Sequence, residues 1–437
     1  MSRSEVLKKN ISLGMIYKII GMILSYITIP VVLNYLGEEN YGVWVTVFAI
    51  VAWINNFDIG IGSGLRFNLT KSLSEKNELL AKEYITTSYV IISIITLIMF
   101  ILGTVGISFL NFQDILNVNF IDESILIKVF FTLFIFTLSN FVIGLFKQLY
   151  MSIHETAFVG MTTVFYQGLT IILILIVSDV WEPSLYILAF IYGGANLLTG
   201  IVFTLVFFYK KPSLKPNFAS FNRKLISKIS GLGLEFFTIK ICTIVIFTTD
   251  NLIISNVLGP KEVTPYSVVY QMFQVFIIFW YLVSSPLTPL YTEAFYKKDF
   301  KWIRSTFRKL NLFFCLIAIT ILGFVFIVPF ILNIWLGKEL IYPKFIFSFF
   351  GMFVLIRIYG DLYMSFLNGI GKLRLQLYLS IFGAVINIPL SLYFISSLNL
   401  GSSGVILATC ISLLALALIM PYQAYHTLPK GVDIENS

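Results

Sequence analysis

The sequence predicts an all-α polytopic membrane protein of about twelve transmembrane helices, arranged as two parallel-repeat lobes of six. Three observations carry this. Of 437 residues, 58% are hydrophobic and only 12% are charged, far from the composition of a soluble domain. Apolar runs of about 20 residues recur along the whole chain, enough helix to cross the roughly 30 Å of hydrocarbon in a bilayer. Basic residues gather on alternate connections between these runs, as the positive-inside rule requires.

The expected spans are 12–36, 41–66, 85–110, 125–150, 156–178, 183–209, 231–258, 265–292, 307–335, 343–369, 373–398 and 401–425. The first follows the segment MSRSEVLKKN. It is too long for a signal peptide, carries Lys18 and lacks a small-residue cleavage site, so it reads as a helix that stays in the membrane. With its start counted as cytoplasmic, the inner segments, span ends included, hold 23 Lys and Arg. The opposite side holds Lys261, Lys338 and Lys344. Both termini are therefore expected in the cytoplasm. The net charge of +8 reflects topology and contact with anionic lipid, not nucleic-acid binding.

Helix 1 places Gly14, Lys18, Gly21, Ser25 and Thr28 on one face. Small residues in such a stripe serve helix packing, but a lysine among them favours a cavity face. Helix 2 ends FDIGIGSGLRFNL, with Asp58 buried and Arg66 at the cytoplasmic boundary. Helix 7 repeats the polar stripe through Lys240, Thr243 and Asp250, and helix 10 aligns Arg357, Asp361, Ser365 and Asn368. The tryptophans, Trp280 among them, mostly sit near span ends, as interface anchors do.

The basic segment KKPSLKPNFASFNRK, from Lys210, separates six spans from six. The expected organisation is an N-terminal lobe over 1–210, a cytoplasmic basic linker over 211–230 and a C-terminal lobe with a short tail over 231–437. Asn34-Tyr35-Leu36-Gly37 closes helix 1 and Asn256-Val257-Leu258-Gly259 closes helix 7, an offset of 222 residues that also carries Lys18 onto Lys240. A repeat of six helices returns to its starting side, so the halves are expected to be parallel, about an axis along the membrane normal.

Six ionisable side chains lie deep in apolar runs: Lys18, Asp58, Lys240, Asp250, Arg357 and Asp361. Each costs about 3 kcal/mol at the centre of a membrane helix, so three cations and three anions are expected to share a wet cavity. Arg357 and Asp361 are one turn apart and close enough to pair. An arginine there suits phosphate, whose oxygens its planar fork grips in pairs. Any proton or sodium coupling should pass through Asp58, Asp250 or Asp361. His154 and His426 fall in connections, and Cys242, Cys315 and Cys410 lack CxxC spacing. No metal, cofactor or catalytic constellation is expected.

The stretch YLGEENYGVWVTVFAIVAWINNFDIGIGSGLRFNLTKSLSEKN, from Tyr35 to Asn77, resembles the start of bacterial O-antigen and polysaccharide flippases. These belong to the multidrug/oligosaccharidyl-lipid/polysaccharide exporter superfamily and show a similar LG-x3-YG-x-W element after helix 1 and a DxG-x-G element closing helix 2. NVLGP, SSPLTPLYTEAF, NIWLG and LNGIGKLRLQ extend the resemblance at a coarse level. It implies a V-shaped pair of lobes in the bacterial inner membrane that turns an undecaprenyl diphosphate-linked oligosaccharide from the cytoplasmic to the outer leaflet, without enzymatic chemistry. Lys18, Arg66, Lys240 and Arg357 match the basic cavity residues that hold diphosphate and glycan. The implied partners are that lipid-linked glycan, membrane lipids, a polysaccharide polymerase and a chain-length regulator. Two alternatives stand beside it: a cation-coupled multidrug exporter of the same fold, which favours a carboxylate-dominated cavity, and a membrane glycan polymerase, which needs larger loops.

Overall fold

The structure, a computed structural model, describes residues 3–54, 61–153, 155–230, 246, 248–284 and 287–429. Every regular element among them is helical, and ten helices are long and apolar enough to cross a membrane. The other two expected spans, 41–66 and 231–258, each include residues outside the described set. The chain divides into two compact units, Met1–Phe237 and Thr238–Ser437.

In the N-terminal unit, α1 (Arg3–Leu36) runs through Pro30 and stops at Gly37. There the chain turns left-handed, φ 78°, and the Gly37 N–H bonds the Leu33 carbonyl at 2.9 Å. Glycine reaches that region without a Cβ clash, which makes it a natural helix stop. The helices α2 (Glu38–Ile54) and α3 (Ile61–Ser74) follow. Asn77 then caps α4 (Glu78–Ile107), its side chain accepting from the Leu80 N–H at 3.0 Å. A short α5 (Phe112–Leu116) precedes α6 (Glu123–Ile143), which breaks at Gly144 and resumes as α7 (Phe146–Ser152). The unit's last long helices are α8 (Thr156–Ser178) and α9 (Leu185–Lys210).

The glycine stripe of α1 is a packing seam. Gly14 faces Ala157 and Gly21 faces Thr163, both on α8, while Thr28 lies 3.3 Å from Gln167 Oε1 on the same helix. Small residues let the two backbones close up where lipid supplies no hydrophobic drive. The expected cavity face is thus, at Gly14, Gly21 and Thr28, the face that holds α8.

The basic segment after α9 is anchored at intervals, with most of its residues between the anchors exposed. Leu214, Leu225 and Ile229 are buried among Leu65, Ile85, Leu149 and Phe207. The backbone N–H groups of Asn217 and Asn222 donate to Thr86 and Thr87 on α4 at 3.3 and 3.1 Å, and Asn222 Nδ2 donates to Glu83 at 2.8 Å. The segment closes with α10 (Ile226–Ser230), pressed so tightly on α3 that a Cβ added at Gly64 would lie 2.0 Å from the Ile229 carbonyl oxygen.

The C-terminal unit begins, among described helices, with α11 (248–258), which stops at Gly259. That glycine repeats the behaviour of Gly37, with φ 97° and an N–H bonded to the Ser255 carbonyl at 3.0 Å. Next come α12 (Val263–Ser284), α13 (Leu287–Tyr296), α14 (Phe300–Leu336), α15 (Ile346–Gly369), α16 (Arg374–Ser396) and α17 (Ser402–Thr427). The 37 residues of α14 span about 56 Å, well beyond the hydrocarbon thickness. Its first three turns carry the exposed Lys301, Arg304 and Arg308 opposite the buried Ile303 and Phe307. At the centre of this unit α17 packs against both α15 and α16. A Cβ at Gly383 on α16 would sit 2.7 Å from the Ser412 carbonyl oxygen on α17. Large apolar side chains such as Leu102, Leu205, Phe326 and Phe330 are exposed. A soluble protein would aggregate through so much of this surface; in a membrane it meets acyl chains.

Candidate functional site

Two polar clusters occupy the C-terminal unit, both inside segments that are otherwise apolar. The deeper one surrounds Asp250, which α11 presents 3% exposed. Tyr266 on α12 donates its hydroxyl to the Asp250 carboxylate at 2.5 Å, and Thr409 on α17 reaches the same group at 3.4 Å. Asn387 on α16 donates to Thr409 at 3.1 Å, and Asn387 and Thr409 are both fully buried. Three helices thus meet at one carboxyl group, whose partners among the described residues are neutral hydroxyls, and the fourth, α16, braces the Thr409 hydroxyl. Ion pairs are not the only way to keep an acid inside a membrane protein. Hydroxyls that satisfy its oxygens do the same.

The second cluster lines a half-enclosed cavity of about 200 Å³ walled by α12, α15, α16 and α17. Arg357 and Asp361 reach it from the middle of α15, as their one-turn spacing requires. The sequence suggests that the two pair with each other. The contacts seen are to two neighbouring residues of α12: Trp280 Nε1 donates to Asp361 at 2.6 Å, and Arg357 donates to the Tyr281 hydroxyl at 3.2 Å. Trp280 is 1% exposed and stacks on Phe313, so it is no interface anchor. Gln376 and Ser380, one turn apart on α16, complete the polar wall.

Of the remaining predicted site residues, two belong to the N-terminal unit and two fall outside the described residues. Lys18 is exposed on α1, beside the α8 seam. Arg66 is exposed on α3, its guanidinium 3.5 Å from the Met151 sulfur. Asp58 and Lys240 fall outside the described residues. Sequence reasoning missed Tyr266, Tyr281, Gln376, Asn387 and Thr409. A signal existed for two of them: Gln376 and Ser380 share a helical face, and Asn387 is a lone amide in an apolar run.

A family model described as polysaccharide biosynthesis protein matches residues 7–295, and one described as MatE matches residues 237–393. The chain is 23% identical over 437 residues to the "Putative O-antigen export protein" of Yersinia pseudotuberculosis, covering 95% of each chain. It is 25% identical over 416 residues to the "Putative O-antigen transporter" of Salmonella typhimurium, covering 88% of each. Among solved structures, an inward-facing multidrug resistance MATE family transporter of the MOP superfamily superposes with a TM-score of 0.77 at 14% identity, over 93% of this chain and 94% of that one. A MOP superfamily transporter from Pyrococcus furiosus gives 0.65 at 15% identity, over 98% of both.

Proposed function

The chain belongs to the polysaccharide biosynthesis protein family and has the fold of the MOP exporters, and from that premise we propose that it is a flippase for a lipid-linked oligosaccharide. The observation that carries this reading is the cavity beside α15, where Arg357 and Asp361 stand in the middle of a membrane helix next to Gln376 and Ser380. Such groups are costly in hydrocarbon, and a polar headgroup in transit gives them work. The substrate is an undecaprenyl diphosphate-linked glycan. Its headgroup passes from the cytoplasmic to the outer leaflet of the inner membrane by alternating access, while the isoprenoid tail stays in the bilayer. Lys18, Arg66, Lys240 and Arg357 attract the anionic and polar headgroup. Asp250, with its shell of neutral donors, is the first place for proton or sodium coupling, followed by Asp361 and Asp58. Both termini face the cytoplasm, on the strength of the 23 basic residues on that side. A polysaccharide polymerase and a chain-length regulator act on the delivered product.

The test is a deletion strain. Cells lacking the protein should accumulate undecaprenyl-linked repeat units on the cytoplasmic face and lose surface polysaccharide, with both restored by the gene in trans. Normal polysaccharide with heightened sensitivity to cationic drugs would point instead to a multidrug exporter, the reading that the MatE match over 237–393 keeps in view.

A further inference from the structure

Gln376 is 8% exposed and lines the α15 cavity, and its side-chain oxygen has no hydrogen-bond partner among the described residues. An orphaned buried acceptor loses its hydration with nothing in return, so an occupant of this cavity should bring a donor. That requirement discriminates among the parts of a lipid-linked glycan. An isoprenoid chain has no donor. An ionised diphosphate is an acceptor only, and it would meet the Asp361 carboxylate on the same wall as the Gln376 oxygen. A sugar offers hydroxyls that both donate and accept.

The rest of the wall agrees with that chemistry. Ser380, one turn from Gln376, adds a hydroxyl, and the Asp361 carboxylate is a second acceptor. Arg357 supplies donors for a ring or glycosidic oxygen. Tyr281 is 37% exposed, and its hydroxyl is tethered to Arg357 at 3.2 Å. Its ring therefore offers a fixed apolar surface to the C–H face of a pyranose.

We propose that the α15 cavity is a sugar subsite, in which Gln376 accepts a hydrogen bond from the transported glycan and acts as a specificity-determining residue. This rests on the transport reading above and narrows it: the diphosphate is held elsewhere, and this cavity reads the glycan. A site built to bond a hydroxyl rejects a ligand that lacks it, because its own polar group is then left unpaired.

The experiment uses the full-length protein in nanodiscs and two probes. One is the lipid-linked glycan extracted from host cells lacking this gene; the other is undecaprenyl diphosphate, which carries no sugar. The Gln376→Leu variant should bind the glycolipid about 3- to 10-fold more weakly, the effect of one lost hydrogen bond, and bind undecaprenyl diphosphate as wild type does. If Gln376→Leu does not accumulate, Gln376→Asn retains the amide but retracts it by one methylene, and the same selective loss is expected. Unchanged glycolipid binding, or equal weakening for both probes, overturns the sugar subsite. So does a wild-type protein that binds the two probes equally well. A wild-type protein that binds neither overturns the flippase reading itself, and the subsite with it.

Discussion

Trp280 donates its indole N–H to Asp361 across 2.6 Å, so the carboxylate in the middle of α15 is fixed from a neighbouring helix. Replacing Trp280 with Phe keeps an aromatic ring against Phe313 and removes the donor. A hydrogen bond to a charged group is worth about 1.5–3 kcal/mol, and Trp280→Phe should lower stability by about 2 kcal/mol, read as a drop in melting temperature. In combination with Asp361→Asn the losses should fall short of additivity by at least about 1 kcal/mol. Losses that add independently would mean that the bond contributes nothing.

Asp250 makes a different prediction, because its partners among the described residues are hydroxyls. Asp250→Asn keeps the shape and removes the ability to exchange a proton or bind a cation. Transport into vesicles should lose its dependence on a proton or sodium gradient, while the variant folds and reaches the membrane at wild-type levels. Asp361→Asn and Asp58→Asn, measured alongside, identify any other coupling acid. If all three variants respond to the gradients as wild type does, carboxylate coupling is wrong.

The two lysines related by the 222-residue offset, Lys18 and Lys240, are expected to act together on the headgroup. Lys18→Gln and Lys240→Gln should each lower surface polysaccharide at matched protein levels, and the double variant should lower it more than the product of the single effects. Arginine at either position should retain more function than glutamine, because the charge survives. Wild-type export from the double variant would assign both lysines a structural role.

Gly64 tests the packing of the basic segment. An alanine there would place its Cβ 2.0 Å from the Ile229 carbonyl oxygen, a backbone atom that cannot swing aside. Gly64→Ala should destabilise the N-terminal unit by about 1–3 kcal/mol or more. Gly168→Ala, with open space around the added methyl, should change the melting temperature little. Equal behaviour of the two would show that the segment yields readily.

Fold class was legible because length and hydropathy alone decide whether a run can span a membrane. Partners were not, because periodicity gives a face without saying what covers it. The α1 stripe illustrates this: Gly14, Gly21 and Thr28 share a face whether it borders a cavity or a helix, and it borders α8. Asp250 was recognisable from its apolar surroundings, whereas Thr409, 159 residues away, could be attached to it only by the folded chain. Trp280 near the end of a run fitted an interfacial anchor, and only its 1% exposure makes it an internal donor. The residue 222 positions before Asp250 is Thr28, 3.3 Å from Gln167. Matching places in the two units hold polar contacts, with the acid at this place in the C-terminal unit alone.

The left-handed turns at Gly37 and Gly259 limit which residues those two positions accept. A side chain in that conformation costs roughly 1–2 kcal/mol, and the penalty is the same whatever the protein transports. Mutations that retune a cavity for a new cargo leave this constraint untouched, so the lining residues can change while the helix stops stay glycine. Gly337 ends α14 in the same conformation, φ 67°, so these glycines record what a helix end needs rather than what the cavity carries.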